Sequence, residues 1–87
     1  MISGRLIALD IETTGLNPWK DKILLVQLGT RTKTLIIDWQ KIGPAKKHLQ
    51  PVLESSNFGK LGHNLAFDCA FLEVNGLKVR GPLCDTY

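Results

Sequence analysis

The first apolar stretch of the chain carries two carboxylates, and this combination restricts both the fold and the chemistry. From residue 5 to residue 12 the side chains alternate with a period of two, which predicts a β-strand with both faces mostly buried. Asp10 and Glu12 fall on one face of that strand, about 6.6 Å apart. Because like charges on a buried strand repel each other and lose their hydration, the strand needs a cation beside it. Mg²⁺ or Mn²⁺ suits carboxylate oxygens. The alternative to a metal site is that the face of the strand with Asp10 and Glu12 is exposed to solvent.

The remaining sequence predicts an α/β domain. Three strands joined by short connections imply an antiparallel arrangement, and later strands reached through helices imply parallel pairing. The predicted order is therefore βββαβαβ, in a mixed five-stranded sheet with helices packed on it. After the first strand and a loop over residues 13–21, the predicted elements are strands 22–30 and 32–39, a helix 44–54 kinked at Pro51, a strand 58–62, a helix 64–74 capped by Asn64, and a strand 79–85.

Length and composition narrow the class of protein. The 87 residues suffice for one small domain. The chain has no N-terminal signal and no apolar run long enough to cross a bilayer, which predicts a cytoplasmic protein without a membrane partner. Cys69 and Cys84 have no metal-ligand spacing and are predicted to be reduced core residues. The net charge of +3 is compatible with a polyanionic partner.

A second acidic position lies on the helix predicted for residues 64–74. Asn64 and Asp68 are four residues apart, so both project from one face of its first turns. Asp68 stands among apolar neighbours, where a carboxylate is unusual without a partner. Alternatively, Asp68 only places a favourable negative charge near the helix N-terminus, which stabilises the helix by about 0.3 to 1 kcal/mol.

A phosphate-binding loop is a competing interpretation of the first motif. Sugar kinases and actin-like ATPases begin with a similar strand followed by a Gly-Thr-Thr-Gly-like turn. Here Glu12 occupies the position at which a bare backbone would approach the phosphates, and its carboxylate would repel them. The chain is also too short for a second nucleotide-binding lobe, so this interpretation is disfavoured.

Taken together, the two motifs resemble a known family. The sequences DIET (10–13) and NLAFD (64–68) are similar to the first two motifs of the DEDD superfamily of 3′-5′ exonucleases. Residues 62–86 look most like the proofreading domain of A-family, polymerase I type DNA polymerases. This resemblance implies an RNase H-like fold and hydrolysis of phosphodiester bonds at DNA 3′ ends by a two-metal mechanism with Mg²⁺ or Mn²⁺.

The resemblance also implies a role for each matching residue. Asp10 would bridge both metal ions, Glu12 would bind the ion that carries the attacking water, and Asp68 would hold the second ion. The other matching positions would contact the nucleic acid: the main chain of Ile11 to Thr13 at the terminal nucleotide, Leu16 as an apolar wedge, and Asn64 and Phe67 at the frayed single strand. Leu16 and Phe67 could equally be core residues, and Asn64 only a helix cap. Trp19 is expected to anchor its own loop rather than stack on a base, and His63 to be structural.

One part of the family pattern is absent. The third motif, Tyr-x-x-x-Asp or His-x-x-x-Asp, has no match, because Tyr87 is the final residue and Asp85 is expected to cap a following helix. The expectation is a single exonuclease domain over residues 1–87, incomplete at its C-terminus, with part of the sheet uncovered. Its partners would be a frayed 3′ end and a polymerase domain or the missing segment. The alternatives are an RNase D-like enzyme acting on RNA 3′ ends and a non-catalytic module that binds nucleic acid or a polymerase.

Overall fold

The computed structural model describes residues 6–86, which form one sheet with helices packed against it. Arg5, the predicted start of the first strand, and Tyr87 lie outside the described residues. The strands are β1 (Leu6–Thr13), β2 (Ile23–Gly29), β3 (Thr34–Asp38), β4 (Gly59–Gly62) and β5 (Leu83–Asp85); the helices are α1 (Trp39–Ile42), a 3₁₀ segment (Gly43–His48), α2 (Gln50–Glu54) and α3 (Leu65–Val74).

The predicted mixed sheet is confirmed. Its strand order is β3-β2-β1-β4-β5, with β1 in the centre. The β1–β2 and β2–β3 pairs are antiparallel, whereas β1–β4 and β4–β5 are parallel. The central position of β1 brings Asp10 and Glu12 to the middle of the sheet.

Three predicted elements were too long or too regular. The helix predicted for residues 44–54 is a 3₁₀ segment followed by α2, and Pro44 and Pro51 each begin a piece. The third strand ends at Asp38, whose carboxylate accepts a hydrogen bond from Gln40 N–H and starts α1. The last strand is only three residues long, because the chain before it turns at Gly81, which has a φ of +91°.

The core lies on one face of the sheet. Ile7, Leu9 and Ile11 of β1 are buried there, and Leu9 and Ile11 pack with residues of β2 and of the helices. Asp10 and Glu12 face the opposite side and are exposed. The prediction of two buried faces for β1 was therefore wrong. Because the helices pack on the Ile7 side, the other side of the sheet has no covering layer within residues 6–86.

We call this uncovered side the open face, and it carries apolar side chains as predicted. The register places Leu61 beside Ala8, and Ile36 beside Gln27, whose neighbour on its other side is Asp10. The apolar residues that share this face and stay exposed include Leu6 (44%), Ile36 (60%) and Leu61 (36%). Apolar surface of this kind typically marks a place where another protein segment or a ligand binds.

The buried side chain of Lys60 links the loop before β4 to the loop before β5. Lys60 of β4 has no exposed surface, and its Nζ donates hydrogen bonds to Ser55 O (2.8 Å), Phe58 O (2.8 Å) and Arg80 O (2.6 Å). Burial lowers the pKa of this side chain below its ordinary value. The sequence gives no signal for this contact, because a single lysine in a short strand is usually exposed.

Both cysteines are free and half-buried rather than fully buried. Cys84 lies on the open face beside Leu61, so it is not part of the core. None of the helices within residues 6–86 has the length and apolar character that a transmembrane span requires.

Candidate active site

Asp10 and Glu12 share one face of β1, as predicted. The side chain of Ile11 between them points into the core and is 7% exposed. Both carboxylates are exposed on the open face, however, so neither one needs a cation to compensate for lost hydration. The pair alone therefore does not establish a metal site.

Asp68 is the residue whose environment is unusual. It lies in the first turn of α3, is 3% exposed, and its Oδ2 is the only buried side-chain polar atom within residues 6–86 that has no hydrogen-bond partner. Burial first, and then the negative charges of Asp10 and Asp85, together raise the pKa of Asp68 to about 7. Asp68 and Asp10 therefore lie close enough to repel each other, although they come from different elements.

A close contact between α3 and the sheet holds Asp68 in this place. Gly62 ends β4, and a Cβ atom there would lie 2.6 Å from Leu65 Cδ2 and 2.8 Å from Leu9 O. A side chain at this position would push the start of α3 away from β1. The glycine thus allows the helix that carries Asp68 to approach the strand that carries Asp10.

Asp85, rather than Asn64, caps α3. The Asn64 side chain makes no capping hydrogen bond, and its backbone is left-handed (φ 59°, ψ 53°). Instead the Asp85 carboxylate accepts hydrogen bonds from Asn64 N–H (2.7 Å) and Leu65 N–H (2.8 Å). The prediction that Asn64 caps this helix through its side chain was wrong, whereas the role predicted for Asp85 at a following helix stays a prediction. The parallel pairing of Gly62 with Asp85 explains the arrangement, because it brings this carboxylate beside the start of α3.

Replacing Asp85 by alanine should destabilise the fold by about 1 kcal/mol, the usual effect of losing an N-cap. Asp85→Asn keeps one side-chain acceptor and should lose about half as much. Urea unfolding at pH 7 measures both changes. Equal stability of the alanine variant and the wild type would show that α3 does not depend on this cap.

The residues near Asp68 fit a divalent cation only in part. No three His, Cys, Asp or Glu side chains in the described chain lie close enough together to hold a metal ion as they stand. Asp10 and Asp68 are brought together, and Glu12 follows on the same face of β1. An unpartnered buried carboxylate beside a second one suits a hard cation, and Mg²⁺ is often held by one or two carboxylates, with water and substrate phosphate completing its coordination.

A shallow groove with a volume of about 460 Å³ lies beside Asp10. Ala8, Gln27 and Leu61 contribute to it from the open face, and His63 from the start of α3. Nδ1 of His63 is 3.2 Å from Thr86 Oγ1, in agreement with the structural role predicted for this side chain.

The residues predicted to contact nucleic acid differ in their accessibility. Leu16 is 84% exposed in the loop after β1, so it is not a core residue. Phe67 is half-buried against the core, with its ring centroid 4.9 Å from that of Phe71. The Thr13 hydroxyl donates to Gly15 O at 2.6 Å and stabilises the turn.

Trp19 is 82% exposed, so the prediction that its side chain anchors the loop was wrong.

Comparison with known proteins gives the same family as the motifs. A sequence model of the DNA polymerase A type family described as 3′-5′ exonuclease matches residues 3–87. DNA polymerase I of Aquifex aeolicus is 39% identical over 70 residues, which cover 79% of this chain and 11% of that protein.

Solved structures agree with this result. The Brucella melitensis NrnC structure with bound Mg²⁺ has a TM-score of 0.79 and 29% identity, covering 98% of this chain and 43% of that one. The Trypanosoma brucei RNase D structure in complex with RNA U12 has a TM-score of 0.77 and 28% identity, covering 94% and 30%. The predicted RNase H-like fold is confirmed. The chain spans less than half the length of each of these relatives.

Proposed function

Since the chain belongs to the 3′-5′ exonuclease domain family of A-type DNA polymerases, we propose that it hydrolyses the terminal phosphodiester bond at the 3′ end of DNA, as part of a proofreading activity. One observation carries the proposal. The buried carboxylate of Asp68, with an unpartnered oxygen and a pKa raised to about 7, lies within the electrostatic range of Asp10 of the first motif. A stable fold gains nothing from this arrangement, whereas a cation site requires it.

Asp10, Glu12 and Asp68 would hold the divalent metal ions. When bound, such ions supply an activated water and stabilise the leaving 3′ oxygen. Asp68 must release its proton before it can act as a ligand, and its pKa of about 7 means that cation binding near neutral pH would displace the proton from part of the molecules. A bound cation would relieve the repulsion between the ionised carboxylates of Asp10 and Asp68.

The remaining residues of the motifs would position the substrate. The backbone of Ile11 to Thr13 follows directly from Asp10 and would contact the terminal nucleotide. Leu16, which is exposed at the tip of the next loop, is available as an apolar wedge. Asn64, in its left-handed conformation, and Phe67, half-buried beside it, would contact the unpaired strand.

The open face suggests how the domain is completed. We propose that residues 1–87 belong to a single exonuclease domain, in which another segment covers this face and adds a further carboxylate beside Asp10. The exposed apolar residues Leu6, Ile36 and Leu61 support this arrangement. The segment could belong to the same polypeptide, to a second one, or to a polymerase domain.

An enzyme acting on RNA 3′ ends is the second candidate, and one observation favours it: the similar solved structures include an RNase D in complex with RNA. A non-catalytic binding module is the third candidate, which the solvent exposure of Asp10 and Glu12 favours. These three functions make different predictions for one experiment.

The experiment is a cleavage assay on 5′-labelled single-stranded DNA and on RNA of the same sequence, with Mg²⁺ or Mn²⁺. Wild type should give a ladder of products shortened from the 3′ end, and Asp10→Ala should reduce cleavage to the level seen with EDTA, because it removes one of the carboxylates that would hold the metal. Glu54→Gln, on α2, is the matched control and should cleave like the wild type. A circular DNA substrate, which has no 3′ end, should stay intact.

Each other outcome selects another function. Faster shortening of RNA than of DNA would identify an RNase D-like enzyme. Binding of the oligonucleotides without any cleavage that depends on both the metal and Asp10 would contradict the exonuclease proposal for this chain and support a binding module.

A further inference from the structure

Both tryptophans of the chain border one groove, which lies outside the candidate active site. The groove has a volume of about 440 Å³, with Trp19 and Pro18 on one side and Trp39 and Gln40 of α1 on the other. It lies on the helix side of the sheet, next to Val74 at the end of α3, whereas Asp10 and Glu12 face the open side.

The loop that carries Trp19 is held by its own hydrogen bonds. The Asp21 carboxylate accepts from Thr14 Oγ1 (3.2 Å) and from Asn17 N–H (2.9 Å), and the Asn17 side chain accepts from Trp19 N–H (2.9 Å). Thr14 N–H also donates to Lys22 O at 2.9 Å. The indole is therefore presented to solvent by an ordered backbone, which reduces the entropy lost when a ligand binds.

The charge around the groove is complementary to a polyanion. Lys20 and Lys22 line it and are both exposed. The one acidic residue on its border, Asp21, is engaged in the hydrogen bonds of the loop. Glu73 does not line the groove itself but an adjoining depression, which shares Trp19 with it.

We propose that this groove is an accessory site for single-stranded nucleic acid, in which an unpaired base stacks on Trp19 and the adjoining phosphates contact Lys20 and Lys22. Exposed aromatic rings flanked by lysines bind single strands in this way without sequence preference. The inference rests on the proposed function, because it assigns a second contact for the same strand. It requires neither metal nor cleavage, so it can be tested separately.

The test is binding of a fluorescently labelled oligothymidylate in EDTA, followed by anisotropy. Trp19→Ala should weaken binding by about fivefold to a hundredfold, the range expected when one stacked base loses its platform. Trp19→Phe keeps an aromatic ring and should bind more tightly than the alanine variant. Leu35→Ala, which shortens another exposed apolar side chain, on the edge strand β3, is the control and should bind like the wild type.

Two further measurements separate stacking from charge. An oligonucleotide of abasic sites should bind wild type and Trp19→Ala equally. Lys20→Gln should lower the slope of log affinity against log salt concentration by about one.

Unchanged binding of oligothymidylate by Trp19→Ala would overturn the inference and leave the groove to a protein partner. A chain that binds through Trp19 but shows no cleavage dependent on Asp10 would support the inference and refute only the exonuclease proposal.

Discussion

Replacing Lys60 by methionine is expected to lower the free energy of unfolding by about 2 to 4 kcal/mol at pH 7, a large fraction of the stability of a domain of this size. Methionine fills nearly the same space but has no hydrogen-bond donor. The carbonyls of Phe58 and Arg80 would each lose the hydrogen bond from Lys60, and Ser55 O would keep only the longer one (3.4 Å) from Phe58 N–H. Each buried carbonyl without a partner costs about 1 to 3 kcal/mol, partly offset because a charged group is no longer buried.

The geometry around Lys60 explains why water cannot easily replace the ammonium group. An ammonium group has three N–H donors, and all three are used here. Gly81 closes the same site, since a Cβ atom there would lie 2.9 Å from Phe58 O. The Lys60 side chain therefore joins the turn before β4 to the segment before β5. Strand β5 in turn carries Asp85, which caps α3.

Lys78→Met is the matched control, because Lys78 is exposed and its replacement should change stability by less than about 0.5 kcal/mol. Urea unfolding, followed by circular dichroism, measures both variants. If the two substitutions moved the unfolding midpoint by the same amount, the hydrogen bonds of Lys60 would not be a major source of stability.

The arrangement of the sheet could be predicted because local patterns determine it. The alternation around Asp10 marks a strand, and the short connections on either side of β2 permit only antiparallel neighbours. Strands separated by a helix pair in parallel, as β1 and β4 do. The same-face placement of Asp10 and Glu12 follows from the period of a strand and required no tertiary information.

The features that were missed depend on residues distant in sequence. Lys60 contacts Arg80, twenty positions later, and Asp85 caps a helix that begins twenty positions earlier. Nor could the alternation of β1 show which face is covered, because small and apolar residues occur on both faces. Trp19 was misassigned for a similar reason, since hydrogen bonds of Asp21 and Asn17, rather than the indole, order its loop.

Replacing Asp68 by asparagine is expected to remove a strong pH dependence of stability. The pKa of Asp68 is about 7 in the folded chain, against an ordinary value of 3.8. A difference of about three pKa units corresponds to about 4 kcal/mol.

The sign of the effect follows from which state binds the proton. Below pH 4 the carboxyl group is protonated in both states and contributes nothing. As the pH rises from 4 to 7, the unfolded chain loses the proton while the folded chain keeps it, so stability falls, and above pH 7 the loss is complete. Between pH 5 and pH 8 wild type should lose about 2 to 3 kcal/mol more than Asp68→Asn, in which this position cannot ionise.

Thermal or urea unfolding at a series of pH values measures this difference, with Glu73→Gln as the control. Glu73 lies on the same helix but is exposed, so its replacement should leave the wild-type pH profile intact. Adding Mg²⁺ at pH 8 should restore stability to the wild type and not to Asp68→Asn, because only an ionised carboxylate attracts the cation.

Parallel pH profiles for wild type and Asp68→Asn would mean that the folded chain does not hold a proton on Asp68. A Mg²⁺ effect of equal size on both proteins would place the cation elsewhere. Only the combination of a pH-dependent penalty and its relief by metal distinguishes a cation ligand from a carboxyl group that is merely buried.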